Sequence, residues 1–162
     1  MTDHDFDAAS ANRHFSTTCF NRVWELLDKP DRSPDDDRLM VSMCHASLFH
    51  WQQRTDCMPR ILSIGYWQLS RVYARLGQAD NARQFAHLCW TYSENKEPFY
   101  LGHAYEALAR AEFTAGNVDA GERFLANARE QSALVDDPAE REMLEQDLET
   151  MKATAKPIRR IE

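Results

Sequence analysis

Histidine is the side chain in this sequence with the widest capacity for metal and proton chemistry, and four of the six histidines are the main candidates because they fall within the body of the predicted helices. These are His45, His50, His87 and His103. His45 and His50 point about 140° apart around a helix, so they do not converge on one ion. His103 and Glu106 share a helix face, but a di-iron centre needs Glu-x-x-His pairs on two helices. The spacing therefore predicts no metal site.

Nucleophilic catalysis would need a serine or cysteine within reach of a general base. Cys44 and His45 are adjacent, yet neighbouring side chains on a helix point about 100° apart and cannot share a proton. We expect Cys44 to fill the core instead. The chain also lacks G-x-S-x-G, G-x-G-x-x-G and a glycine-rich phosphate loop, and it has only five glycines. We therefore predict no catalytic residue and no cofactor.

The charge balance of the chain, 19 basic against 26 acidic residues among 162, repels a polyphosphate backbone and disfavours nucleic acid as a partner. The first twenty residues carry three aspartates, where a secretory signal needs a basic start and an apolar run. No stretch approaches the roughly 18 apolar residues of a membrane span, so we expect a cytoplasmic protein. The four cysteines, Cys19, Cys44, Cys57 and Cys89, contain no C-x-x-C pair and are expected to be reduced core residues.

Capping residues and helix breakers divide the chain into seven helical segments with almost no strand signal. Ser33 and Asp137 are expected N-caps, each followed by a proline at the first helical position. Gly77 suits the left-handed position that ends a helix, and Gly116 ends a later one. The predicted segments cover residues 9–28, 34–53, 59–77, 80 onward, 98–116, 119–135 and 138–153.

An internal repeat is the strongest pattern in the sequence. A shift of 39 residues superimposes the third and fourth helices on the fifth and sixth, with six identities in the twenty positions from 66 to 85. The identical pairs are Tyr66 with Tyr105, Leu69 with Leu108, Arg71 with Arg110, Gly77 with Gly116, Asp80 with Asp119 and Phe85 with Phe124. Self-similarity at such a period is typical of stacked helical hairpins.

These two units resemble the tetratricopeptide repeat, a helix-turn-helix unit with aromatic, small and glycine residues at set offsets. The first unit matches at Tyr66, Leu69, Ser70, Tyr73, Gly77, Ala82 and Cys89. The second matches at Tyr105, Leu108, Ala109, Gly116, Leu125 and Ala128. Ala86, Glu112 and Gly121 depart from the pattern, and the period of 39 exceeds the family's period of about 34 residues.

The resemblance implies an all-α fold, a right-handed α-α superhelix of about three stacked helical hairpins plus a C-terminal capping helix. We expect a single TPR-like domain over residues 1–153, with clear units at 59–97 and 98–136 and a basic C-terminal tail at 154–162. The first two helices form a degenerate unit in this interpretation. The last helix, with an apolar stripe of Leu144, Leu148 and Met151, is the cap.

The resemblance also implies a concave groove lined by the first helix of each hairpin, with exposed and convergent side chains. Its residues would be Trp67, Arg71, Arg75, His103, Glu106 and Arg110. Arginines beside an aromatic residue suit a carboxylate or an acidic peptide. Glu106 and Arg110 could instead form an ordinary i, i+4 salt bridge on a solvated face.

Two classes of function follow from these patterns. The first is a non-enzymatic module that binds a protein or peptide of acidic character, and pairing of its end hairpins would permit a homo-oligomer. Replacing Arg71 and Arg110 with glutamate is then expected to abolish capture and leave folding intact. The alternative is a small helical-bundle enzyme, metal-dependent through the histidines named above.

Overall fold

Seven helices make up the part of the chain that the structure, a computed structural model, describes: residues 7–154, with side chains to residue 151. They are α1 (Ala8–Asp28), α2 (Pro34–Gln52), α3 (Pro59–Arg75), α4 (Ala79–Ser93), α5 (Pro98–Thr114), α6 (Val118–Ala133) and α7 (Pro138–Thr154). The predicted segments agree with these bounds to within two residues. Beyond Thr154, the predicted basic tail lies outside the described residues.

The predicted helix starts are formed by the expected side chains. Ser33 makes a capping box before α2: its Oγ accepts from the backbone N–H of Asp36 at 3.1 Å, and the Asp36 carboxylate accepts from the N–H of Ser33 at 2.8 Å. Asp137 Oδ1 accepts from the N–H groups of Ala139 and Glu140 at the start of α7. Each cap satisfies backbone donors that a helix start leaves unpaired, so both N-cap predictions are confirmed.

The same left-handed turn ends α3 and α5. Gly77 has φ +72° and Gly116 has φ +81°, and each is followed by a residue whose N–H returns to a carbonyl five residues back. Gln78 donates to the carbonyl of Tyr73, and Asn117 donates to the carbonyl of Glu112, both at 2.9 Å. This is the Schellman pattern. Its recurrence 39 residues apart gives the sequence repeat a structural counterpart.

The helices pack in the order of the chain. Consecutive helices pair as α1 with α2, α3 with α4 and α5 with α6, and the pairs contact each other through α2 with α3, α4 with α5 and α3 with α5. Helix α7 packs on α5 and α6. The all-α prediction is confirmed, and the arrangement is consistent with three stacked hairpins followed by a C-terminal helix.

Small and apolar side chains from every hairpin fill the core. Val23, Met40 and Leu69 are fully buried between the first two hairpins. The predicted stripe of α7 is buried on the last hairpin: Leu144, Leu148 and Met151 pack with Ala109, Leu125 and Ala128. No helix within residues 7–154 combines the length and apolar character needed to cross a membrane.

Three of the four cysteines lie in the core as expected, and all four are free thiols. Cys44 is 1% exposed, and its Sγ donates to Gln68 Oε1 at 3.4 Å. The prediction was wrong for Cys57, which is half-buried in the loop between α2 and α3 because that loop runs over the surface.

Candidate functional site

Four charged side chains from three helices meet on one side of the stack. Arg71 comes from α3, Glu106 and Arg110 from α5, and Asp147 from α7. We call these four residues the charged cluster. Trp67 of α3 borders the cluster by a hydrogen bond to Glu106. Arg71 and Arg110, which were predicted to converge, therefore do lie close together. They meet Asp147, an acidic residue of the last helix.

Glu106 is the centre of the charged cluster and has no solvent exposure. Its Oε2 accepts from Trp67 Nε1 at 2.6 Å, and its Oε1 accepts from Arg110 Nε at 2.7 Å. Burial acts to raise the pKa of Glu106, but the guanidiniums of Arg110 and Arg71 outweigh it and hold the pKa below its ordinary value. Glu106 is therefore a buried carboxylate whose two oxygens are both engaged.

Arg71 connects α3 to α7. Its Nη1 donates to Asp147 Oδ1 at 2.6 Å, and both side chains are only 17% exposed. The guanidinium carbon also lies 5.3 Å from the ring centre of Trp24 and 5.4 Å from that of Trp67, within cation–π range. Burial acts to lower the pKa of Arg71, but the carboxylates of Glu106 and Asp147 outweigh it and raise that pKa. Arg71 therefore stays charged and is held in place by Asp147 and the two indole rings.

Arg110 connects α5 to the same helix. Besides Glu106, its Nη2 donates to Thr150 Oγ1 at 3.0 Å and reaches the backbone carbonyl of Asp147 at 3.4 Å. Because Arg71 binds the Asp147 side chain, the two arginines hold α7 from neighbouring hairpins.

His103 lies against aromatic rings next to the charged cluster and is 8% exposed. Its ring centre is 4.9 Å from that of Trp67 and 4.7 Å from that of Phe99. Its Nδ1 is buried with no hydrogen-bond partner and lies 3.9 Å from Asp147 Oδ2. Burial lowers the pKa of His103, against the opposing effect of Glu106 and Asp147. The imidazole is therefore kept neutral near pH 7.

The expectation that all the groove residues are exposed was wrong. His103 and Glu106 are buried, and Trp67, Arg71 and Arg110 are mostly covered. The cause is α7, which lies against this side of the stack and brings Asp147 to the arginines. The i, i+4 salt bridge between Glu106 and Arg110 does form. It is buried, whereas the alternative interpretation placed it on a solvated face.

The three arginines do line one cavity, of about 400 Å³, which we call the arginine cavity. Arg71 and Arg110 contribute from its wall, whereas Arg75 is exposed and has no ion pair within residues 7–154. Asp28 is the one acidic residue among those lining it. The remaining lining residues are Trp24, Leu27, Ala74, Phe113, Thr114, Thr150 and Met151.

A second cavity, of about 330 Å³, is almost entirely apolar. We call it the aromatic cavity. It is lined by Phe20, Trp24, Ser63, Ile64, Trp67, Cys89, Phe99, Tyr100, His103, Met143 and Asp147. Trp24 lines both cavities, so the two adjoin.

The histidines that the enzyme hypothesis needed lie in separate surroundings. His45 Nε2 bonds the hydroxyl of Tyr73 at 2.9 Å, His50 Nδ1 bonds Asn12 Oδ1 at 2.7 Å, and His87 is exposed on α4. In the part of the chain that the structure describes, no group of three His, Cys, Asp or Glu side chains is placed to hold a metal ion. Cys44 and His45 also have different partners, Gln68 and Tyr73.

Sequence reasoning missed Asp147, Thr150 and the rings of Phe99 and Tyr100. Asp147 is on the acidic face of α7, where Glu142 and Glu145 are exposed, and its partner Arg71 is 76 residues away. Its position one residue before the buried Leu148 is the only local signal.

No protein-family model, curated protein or solved structure matches this chain.

Proposed function

We propose that this protein is a non-enzymatic binding module of the tetratricopeptide-like kind, and that it holds an acidic segment of a protein or peptide at the arginine cavity. The observation that carries the proposal is the convergence of Arg71, Arg75 and Arg110 on one cavity. Two of these arginines are already bonded to carboxylates of this chain. Arg75 has no ion pair within the described residues, so it is the residue expected to grip a ligand carboxylate.

The arginine cavity is suited to this task for a physical reason. Arg71 and Arg110 are held rigidly by Asp147, Glu106 and Thr150, so this wall of the cavity is fixed in place before a ligand arrives. Binding of a carboxylate then costs little conformational entropy, because these side chains are already ordered. Arg75 offers a planar fork of donors that can bind a carboxylate at two points.

Replacing Arg71 and Arg110 with glutamate, which the sequence predicted would leave folding intact, is unsuitable as a test. Each glutamate would face a carboxylate that the arginine now neutralises, and an unpaired buried charge is strongly destabilising. The clean variant is Arg75→Gln, because Arg75 is exposed and has no ion pair in the described residues. Arg123→Gln on α6, also exposed, is the matched control.

The test is selection of peptides from a random displayed library on the wild-type protein and on both variants. We expect wild type and Arg123→Gln to enrich peptides rich in Asp and Glu, and Arg75→Gln to bind them about tenfold less tightly. Added salt should weaken the binding. Selected peptides without an acidic bias, or with equal affinity for Arg75→Gln, would refute the proposal.

A further inference from the structure

The aromatic cavity offers a ligand surface unlike that of the arginine cavity. Among its lining residues, Trp24, Trp67, Phe99 and Tyr100 are half-buried, so their rings are partly open to solvent. Met143 stands on α7 beside them with 55% of its surface exposed. Apolar surface left in contact with water is stabilised when a partner covers it.

Most polar groups in the walls of this cavity are already used within the chain. Trp67 Nε1 donates to Glu106, Asp147 Oδ1 accepts from Arg71, and the hydroxyl of Ser63 donates to the carbonyl of Arg60. His103 Nδ1 is buried without a hydrogen-bond partner and lies 3.9 Å from Asp147 Oδ2. The walls therefore present ring faces, ring edges and a thioether, which select an apolar group over a polar one.

The size of the cavity limits what it can hold. At about 330 Å³ it is at the lower end of the range of ligand pockets, about 300 to 1,000 Å³. That volume suits a single large side chain better than an extended cofactor. Aromatic rings pack edge-to-face or offset on the rings that line it, with a gain beyond that of area alone.

The two cavities adjoin at Trp24, whose ring lies 5.4 Å from that of Trp67 and 5.3 Å from the guanidinium of Arg71. A ligand that fills both would carry an apolar group directly beside its anionic groups. We propose that the aromatic cavity receives an aromatic side chain of the same acidic segment that the arginine cavity binds. The ligand class is thus an acidic peptide with an embedded Phe, Tyr or Trp. This inference rests on the proposed function and adds to it the apolar anchor.

The test compares three short capped peptides. One has a central Phe between glutamates, the second has Ala in place of Phe, and the third has the Phe between glutamines. We expect the first to bind about tenfold more tightly than the second, which corresponds to about 1.4 kcal/mol. The third should bind weakly because it cannot engage Arg75.

The position of the ring is read from methionine methyl groups by NMR. A bound Phe ring should shift the methyl resonance of Met143, which lines the aromatic cavity, and leave that of Met58, which is also exposed but lies at the start of α3. Met143→Gln should reduce the advantage of the Phe peptide over the Ala peptide, whereas Met58→Gln should not. These two variants replace exposed side chains, so folding is not at risk.

Each contrary outcome has a distinct meaning. If the Phe and Ala peptides bind equally and both depend on Arg75, the apolar anchor is refuted and the proposed function stands. If none of the three peptides binds, both proposals are refuted. If the glutamine peptide shifts Met143 as strongly as the glutamate peptide, the coupling of the two cavities is refuted.

Discussion

Trp67 and Glu106 occupy the same position in consecutive repeat units, 39 residues apart, and the indole Nε1 of the first donates to the carboxylate of the second at 2.6 Å. Equivalent side chains of neighbouring hairpins therefore contact each other directly. The next equivalent pair, Arg71 and Arg110, carries like charges, and Glu106 and Asp147 neutralise them. The repeat places matched positions side by side, and the differences between the units make those positions complementary.

Glu106→Gln is expected to destabilise the protein by about 3 kcal/mol, because it removes a buried charge that pairs with Arg110 and turns an amide donor toward either Trp67 or Arg110. Urea unfolding measures the change in free energy of unfolding. Glu122→Gln on the exposed face of α6 is the control and should change it by less than about 0.5 kcal/mol. A loss for Glu106→Gln as small as that of the control would contradict the buried pairing.

His103 should make stability depend on pH. Burial lowers its pKa in the folded chain, whereas the unfolded chain binds the proton near the ordinary pKa of about 6.5. The unfolded state thus binds more protons as pH falls, so the stabilisation is complete above about pH 6.5 and declines below it. Its neighbours on the other helices are Asp147 on α7 and Arg71 on α3, and Glu106 lies on its own helix.

We therefore expect His103→Gln to lose less stability than wild type between about pH 8 and about pH 5.5. His45, whose pKa burial also lowers, contributes with the same sign and remains in the variant. Thermal melts across this range make the comparison, with His87→Gln on the surface of α4 as control. Parallel pH profiles for wild type and His103→Gln would count against a neutral buried imidazole.

The ion pair between Arg71 and Asp147 should couple α3 to α7 energetically. A double-mutant cycle with Arg71→Ala and Asp147→Ala is expected to give a coupling of about 1 to 3 kcal/mol, because both side chains are largely buried. The same cycle on the exposed pair Arg22 and Glu25 of α1 should give less than about 0.5 kcal/mol. Equal couplings for the two pairs would mean that solvent screens them alike.

Gly77→Ala should cost about 1 kcal/mol through the backbone alone. Gly77 has φ +72°, and a Cβ there would meet no atom within 4 Å, so the cost comes from the left-handed conformation rather than from crowding. Gly77→Asn should cost less, since asparagine tolerates this conformation better. Chemical denaturation compares the two, and a larger loss for Asn than for Ala would exclude the backbone explanation.

Sequence reasoning succeeded where the cause of structure is local. Ser33, Asp137 and Gly77 each act on backbone groups within five residues, so their types and positions are enough to place helix ends. The hairpins were predicted from the repeat, because helices that pack in equivalent ways carry similar residues at equivalent positions. These signals depend on no contact between distant parts of the chain.

The candidate site was only partly accessible to the same reasoning. The family resemblance implied that Arg71, Arg75 and Arg110 face one groove, and all three line the arginine cavity. Their partial burial was not implied, because it depends on how α7 lies across the earlier helices. A polar residue such as Asp147 looks the same in sequence whether it faces water or an arginine 76 residues away. Long-range ion pairs leave no periodic pattern.

The sequential packing of the helices also orders events during synthesis. Each hairpin can form from neighbouring segments, and loop closures this short favour rapid folding. Asp147, however, is made 76 residues after Arg71, so a growing chain carries both arginines of the charged cluster before their last carboxylate partner exists. Helix α7 completes the site it covers, and the nascent protein presents that site in its most positively charged form.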